Sequence, residues 1–392
     1  MKLQPVALTE RVEAIDLMRG FALLGILLIN MLTFHSPLSY VDPYSYFDQP
    51  WDSEIYAFID IFIQASFYPL FSMLFGYGLG IQFLRAEARR QPFMPMAVKR
   101  LLVLLAFGII HAFLIWYGDI LITYAIMGLL LLGMIRLPSK MLLGLGAVIY
   151  ILPHLLILLL MFVAVAANPN FYTGIQEVQS SIDAYSAGTF ADIFSQRLSD
   201  WLYSNGPFNF VILIVTILPF LMAGVAAAKW QLIERTKQYR KLWVFLAVGS
   251  LAIGLLLKAT PYFIDNNYAF VYLQDIFGGP LLALGYASII TLIAQSGGVR
   301  KVLQPIAKAG RMSLTTYIAQ SIIATFIFYS YGLGLYGKVD LLTGTLIAAG
   351  IFVIQLIFAE VWFMKFSKGP LEMIWRRWTY GKNIEKSNNL KR

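Results

Sequence analysis

Apolar residues in this chain run on for about twenty positions at a time between short polar breaks. That is the pattern of segments that cross hydrocarbon, not of helices with one wet face. Roughly 20 residues at about 1.5 Å each traverse the ~30 Å core of a bilayer. By that measure spans are predicted near 15–35, 54–84, 98–116, 119–136, 140–165, 207–228, 240–258, 270–295, 311–332 and 340–364. The expectation is an all-α polytopic membrane protein of about ten transmembrane helices, forming a single transmembrane domain over 1–392. The basic residues test that count. With the N-terminus inside, all 30 Lys and Arg except Arg197, Lys258 and Lys338 fall on the inner side, as the positive-inside rule requires. An error of one span would carry the basic stretch Lys229 to Lys241 to the wrong side, so both termini are expected in the cytoplasm.

Two polar stretches break the alternation. The stretch 166–206 is expected outside, with a helix on the outer interface ending at Trp201 to Tyr203. The stretch 368–392 is expected as a cytoplasmic interfacial helix and tail, with Pro370 and Glu372 in its first turn, Trp375 and Trp378 on its apolar side and Gly381 as its stop. Lys2, Arg11 and Arg19 ahead of the first run resemble the start of a signal peptide. No small-residue cleavage site follows at His35-Ser36-Pro37, so the segment is read as a retained helix.

Composition narrows the chemistry. Hydrophobic residues make up 59% and charged residues only 13% of the 392, against roughly 25% charge in a soluble domain. The net charge of +9 lies in the inner segments and answers to an anionic membrane surface, not to nucleic acid. There are no cysteines, which excludes disulfides, thiol catalysis and thiolate metal sites. Three histidines, His35, His111 and His154, are too few to suggest a transition-metal cage.

Polar groups inside hydrocarbon are costly and therefore candidates for function. Asp16 and Arg19 are spaced i,i+3, and the eleven-residue step to Asn30 is close to three full turns. All three share one face, leading from a charged pair at the cytoplasmic mouth to an amide about 16 Å deeper. The plain alternative is an interfacial ion pair and a helix-to-helix hydrogen bond. On the outer side a tight turn at Trp116 to Asp119 places His111 and Asp119 together, as neighbours of His35. A His with a carboxylate can act as general base toward an external nucleophile; the plain alternative is that Asp119 caps a helix and His111 binds a carbonyl. Asp60, Gln64, His154, Gln274, Asp275, Tyr317 and Gln320 are further buried polar candidates. Arg311, Arg376 and Arg377 could hold the phosphates of a cytosolic cofactor. Gly76-Tyr77-Gly78-Leu79-Gly80 lacks the preceding strand of a nucleotide loop and is read as close helix packing.

The runs Arg11 to Asn30-Met31, Phe71 to Gly80, Trp116 to Asp119-Ile-Leu, Ala309-Gly310-Arg311-Met312-Ser313 to Tyr317, and Gly369-Pro370-Leu371-Glu372 to Gly381-Lys382 resemble the DUF418, or YeiB-like, family of bacterial membrane proteins over nearly the whole chain. That family is itself similar to a wider transmembrane acyltransferase group, which includes O-acyltransferases of bacterial sugars and heparan-glucosaminide N-acetyltransferases. The resemblance implies an acyl-CoA donor such as acetyl-CoA on the cytosolic side, an envelope glycan or small-molecule acceptor on the other, and a place in the bacterial cell membrane. In the sugar enzymes an Arg is followed after ten residues by a catalytic His. Here Arg19 is followed by Asn30, a departure shared with the glucosaminide enzymes, in which a working His lies further on, as His35 does here. On this resemblance Asp16, Arg19, Arg311, Arg376 and Arg377 would serve the donor, and Asn30, His35, His111 and Asp119 the transfer. A transporter or export permease built on the same cavity is the competing expectation, with Asp60, Asp119 or Asp275 as proton or substrate contacts.

Overall fold

The computed structural model describes residues 12–168 and 178–380, and every regular element among them is helical. The principal helices are α1 Glu13–His35, α2 Asp52–Phe62, α3 Phe67–Ala88, α4 Met94–Ile110, α5 Leu121–Met134, α6 Ser139–Ala167, α7 Val178–Ala187 and α8 Phe190–Asn205. They continue as α9 Pro207–Lys229, α10 Arg240–Lys258, α11 Tyr268–Leu273, α12 Gly279–Ile293, α13 Gln304–Arg311, α14 Ser313–Phe328, α15 Leu341–Lys365 and α16 Pro370–Tyr380. Among the described residues eight helical stretches are long and apolar enough to cross a membrane, which makes this a multi-pass membrane protein. Two further apolar helices, α5 and α14, are shorter; they coincide with the predicted runs 119–136 and 311–332.

Some predicted runs are subdivided. The run 54–84 breaks between Phe62 and Phe67, where Ala65 takes φ 58° and its backbone lies against Gly279. No Gly or Pro marks this break, because a contact with another helix makes it. The run 270–295 becomes α11 and α12, joined through a wide helical turn over Gln274–Gly278.

Small residues set the tightest packing. A Cβ on Gly76 would collide with the backbone oxygen of Leu221, and one on Gly224 with that of Met73, so α3 and α9 touch backbone to backbone. Gly80 faces Ala228 in the same interface, which is the packing role expected of the Gly76 to Gly80 run. Gly310 meets the Asp16 carbonyl and Gly20 that of Ile306, seating α13 on the start of α1.

The described part of 166–206 is the helix pair α7 and α8. A capping box of Thr189 and Asp192 starts α8. Its polar Gln196, Arg197 and Asp200 are buried, whereas Phe190, Phe194, Leu198 and Leu202 are exposed. This inverted polarity is held by Asp200, which accepts from the Tyr40 hydroxyl at 2.5 Å, the Tyr185 hydroxyl at 2.5 Å and Gln196 Nε2 at 2.8 Å.

The tail helix α16 docks on the bundle. Its Glu372 accepts from Leu314 N–H at 2.8 Å, Thr315 N–H at 3.2 Å and the Thr315 hydroxyl at 2.7 Å, and so caps the first turn of α14 from 57 or 58 residues away. Burial raises the Glu372 carboxyl above the usual carboxylate range, and these hydrogen bonds act against that rise. Trp375 donates its indole N–H to the Arg100 carbonyl at 3.0 Å and lies 3.8 Å beneath the Arg100 guanidinium. The expected stop at Gly381 and the rest of the tail lie outside the described residues.

Candidate functional site

A cavity of about 540 Å³ opens at the end of the bundle where α1 begins, hereafter the near end. Its size lies in the usual range for a small-molecule site. Asp16 and Arg19 of α1, Arg85 of α3, Arg100 of α4, Arg311, and Lys368 with Glu372 and Arg376 of the tail surround the mouth. Asp16 accepts from Arg19 Nη1 at 3.4 Å. Arg311 donates to the Ser367 carbonyl at 3.2 Å and stands 4.3 Å over the Phe363 ring. Six basic against three acidic lining residues leave the mouth net positive, and one of the acids, Glu234, is taken up by the Tyr77 hydroxyl. Arg377, expected beside Arg376, is exposed and does not line the cavity, because neighbouring positions on a helix point about 100° apart.

Inward the walls change character. Along α3 the lining extends from Arg85 to Phe71, about 21 Å at 1.5 Å per residue, and the deep end is aromatic and aliphatic. Phe71 and Phe75 close it by stacking on Tyr124 at 5.8 and 5.4 Å. Neither Asn30 nor His35 lines the cavity.

Deeper in the bundle the structure joins three side chains. His111 Nδ1 lies 2.8 Å from Asp119 Oδ1, and His111 Nε2 lies 2.8 Å from the Ser321 hydroxyl. Asp119 Oδ2 also accepts the Ile122 N–H at 2.7 Å, so its carboxylate is an acceptor on both oxygens. Nδ1 therefore donates, and Nε2 accepts from Ser321. The helix widens at His111, whose carbonyl accepts the Trp116 N–H five residues on at 2.8 Å, and this re-aims the ring toward α14. Tyr317 packs against this group, its ring 5.0 Å from that of His111 and its hydroxyl donating to the Gly118 carbonyl at 3.2 Å.

The other expected site residues are dispersed. His35 is fully buried between Phe47 and Phe328, its ring against Gly344, and neither ring nitrogen has a partner among the described residues. It is thus apart from the His111 group, although the preceding Phe34 packs at a tilt on Trp116, ring centroids 4.2 Å apart. Asn30 is half-buried. His154 is held by Tyr272 at 2.6 Å and Thr216 at 3.1 Å. Gln320 ties α14 to α15 through Gln355 at 3.1 Å and to α1 through the Leu23 carbonyl at 3.4 Å.

Two features escaped the sequence reading. Ser321 follows the candidate Gln320 but carries no local mark of its own, and only its reach to His111, 210 residues away, shows its place. Lys258, expected merely as an outer basic residue, is fully buried and pairs with Asp275 at 2.8 Å, with Asp60 at 4.0 Å. Asp60 further accepts from Gln274 Nε2 at 2.9 Å and from the Tyr44 and Tyr262 hydroxyls at 2.9 Å each. Among the described residues no cluster of His, Cys, Asp and Glu could hold a metal ion.

A helical multi-pass membrane protein with a deep, basic-mouthed cavity entered from one end is the class that fold and site define. A family model described as "Protein of unknown function (DUF418)" matches residues 227–382. The chain is 35% identical to the uncharacterized protein YxaH of Bacillus subtilis (strain 168) over 96% of both chains. It is 28% identical to the uncharacterized protein YeiB of Escherichia coli (strain K12), covering 94% of this chain and 96% of that one. An uncharacterized 39.9 kDa protein of Bacillus acidopullulyticus is 29% identical over 97% of each. The chain belongs to the DUF418 family.

Proposed function

We propose that this protein is a membrane-bound acyltransferase of the bacterial cell membrane, moving an acyl group from a cytosolic acyl-CoA-type donor to a hydroxyl or amine acceptor on the opposite side. The ten-span topology with both termini cytoplasmic belongs to this proposal. It rests on the basic-residue partition and puts the near end in the cytosol, α8 on the outer interface and α16 on the inner one. The observation that carries the reading is the lining of the cavity. A positive mouth suits the phosphates of the donor, and the aromatic and aliphatic inner wall around Phe71 and Phe75 suits the thioester arm.

Within this reading Arg19, Arg311 and Arg376 hold phosphate oxygens, and Asp16 restrains Arg19. Between the two histidines the geometry favours His111 as the base, since Asp119 fixes its tautomer and leaves Nε2 as the acceptor, whereas the His35 ring has no orienting carboxylate. Asn30 remains a candidate for the acceptor side. The test is the melting temperature of detergent-solubilised protein with acetyl-CoA. A ligand that binds only the folded state at a hundred times its Kd stabilises by about 2.7 kcal/mol. An unchanged melting temperature across CoA thioesters would reject the donor.

A second reading, export of a small molecule coupled to ions, is favoured by the buried Lys258, Asp275 and Asp60 group. Proton-dependent uptake or efflux in vesicles, abolished by Asp60→Asn, is its test.

A further inference from the structure

We infer that Ser321 is a nucleophile and that the protein works through a covalent acyl-serine, an inference that deepens the acyl-transfer reading and rests on it for the donor. Its three parts have the geometry that activates a serine. The hydroxyl donates to His111 Nε2 at 2.8 Å, and His111 Nδ1 donates to Asp119 at 2.8 Å. Asp119 is in turn fixed by the Ile122 N–H at 2.7 Å. The arrangement is defined by roles and distances, not by sequence order, and here it joins the widened turn after α4, the start of α5 and the middle of α14. A serine in an apolar helix commonly returns its hydroxyl to the carbonyl four residues back, as Ser288 does to Leu284 at 2.7 Å. Ser321 gives its hydroxyl to the imidazole instead.

A buried donor lies in the same neighbourhood. The indole N–H of Trp116 is buried and has no acceptor among the described residues, and its ring lies 6.3 Å from that of His111. A desolvated donor of this kind can receive the oxyanion of a tetrahedral adduct. Position also fits, since α14 carries Ser313 in the cavity wall and Ser321 two turns deeper, about 12 Å along the helix. Phe71 and Phe75 of the cavity wall stack on Tyr124, and Tyr317 of the same helix α14 packs its ring 5.0 Å from that of His111.

The chemistry balances without a further reagent. Ser321 Oγ adds to the thioester carbonyl as its proton passes to His111 Nε2. The carbon–sulfur bond then breaks and the thiolate takes that proton, which leaves acyl-Ser321 and a free thiol. In the second half the acceptor gives its proton to His111 Nε2 while adding to the ester carbonyl. The carbon–oxygen bond to Ser321 breaks, and the serine recovers the proton.

Purified full-length protein is treated with diisopropyl fluorophosphate, and separately with carbonyl-labelled acetyl-CoA, and Ser321 is read by peptide mass. The expected result is a phosphoryl adduct on Ser321 and a hydroxylamine-sensitive acetyl ester on the same residue. Both are absent in Ser321→Ala and fall about a hundredfold in rate in His111→Gln. The acetyl-CoA melting shift should be retained in Ser321→Ala, because the donor's phosphates bind at the near end. Absence of both adducts from wild-type Ser321, or acetyl release by Ser321→Ala at the wild-type rate, overturns the nucleophile. The acyl-transfer reading survives that outcome if acetyl-CoA still shifts the melting temperature. A fluorophosphate adduct that depends on His111, without any CoA-dependent shift, supports the nucleophile and removes the acyl-CoA donor instead.

Discussion

The two ends of this bundle treat charge in opposite ways. At the near end Arg19, Asp16, Arg311, Lys368 and Arg376 line an open cavity. At the far end Lys258 and Arg197 are fully buried, and each depends on a few fixed partners. Lys258 has Asp275 and Asp60, while Arg197 donates to the Phe113 carbonyl at 2.9 Å. The contrast teaches that the same residue types stay open to a cavity at one end and hold helices together at the other. A buried charge stripped of its partner keeps its desolvation cost, whereas an exposed one loses only a screened attraction.

The sharpest way to break this comparison is Lys258→Met. It should destabilise the protein by about 3–5 kcal/mol, because Asp275 and Asp60 would share a buried site with no cation. Adding Asp275→Asn should recover much of that loss, and an unchanged melting temperature in the single variant would mean the far end is wetter than its packing shows. Next in size, Gly224→Val at the α3 to α9 contact should cost about 1–3 kcal/mol by forcing apart backbones that touch near Met73. Glu372→Ala removes three hydrogen bonds from the first turn of α14 and should cost about 1–2 kcal/mol in thermal unfolding, less for Glu372→Gln, which keeps an acceptor.

At the open end the expected effects on stability are smaller and those on binding larger. Replacing Arg311 and Arg376 with Gln should change the melting temperature of the free protein little, yet abolish most of the acetyl-CoA shift; retention of that shift would take the phosphates away from this mouth. The smallest effect concerns Asp340, whose carboxylate is lowered below its usual range by the Thr343 side chain and N–H at the start of α15. A depressed carboxylate stabilises the fold above its unfolded pKa and loses that contribution as pH falls through its folded value. Asp340→Asn should therefore flatten only the acidic limb of a stability-against-pH profile, and a change near neutrality would contradict the assignment.

Much of this was legible in the order of residues, for particular reasons. The long runs such as Ser139–Ala167 declare themselves because transfer into hydrocarbon adds residue by residue along a helix. The stripe from Asp16 to Arg19 is visible because helical spacing is fixed, and both residues do line the cavity. His111 and Asp119 are close in the chain, so one tight turn was enough to pair them. The packing role of Gly76 and Gly80 followed from their place in an apolar helix.

What the sequence by itself determined, then, is the helical, membrane-spanning character of the apolar runs, the shared face of Asp16 and Arg19 on the first of them and the acid beside His111. Only the tertiary structure decided that Ser321 meets His111, that Glu372 caps α14, that Lys258 is buried against Asp275, and that Arg376 faces the cavity while Arg377 turns from it. The physical reason is that insertion and helix formation depend on neighbours a few residues away. The partner of a buried polar group is set by which helix faces come within about 3 Å of each other, and that distance is a property of the packed bundle.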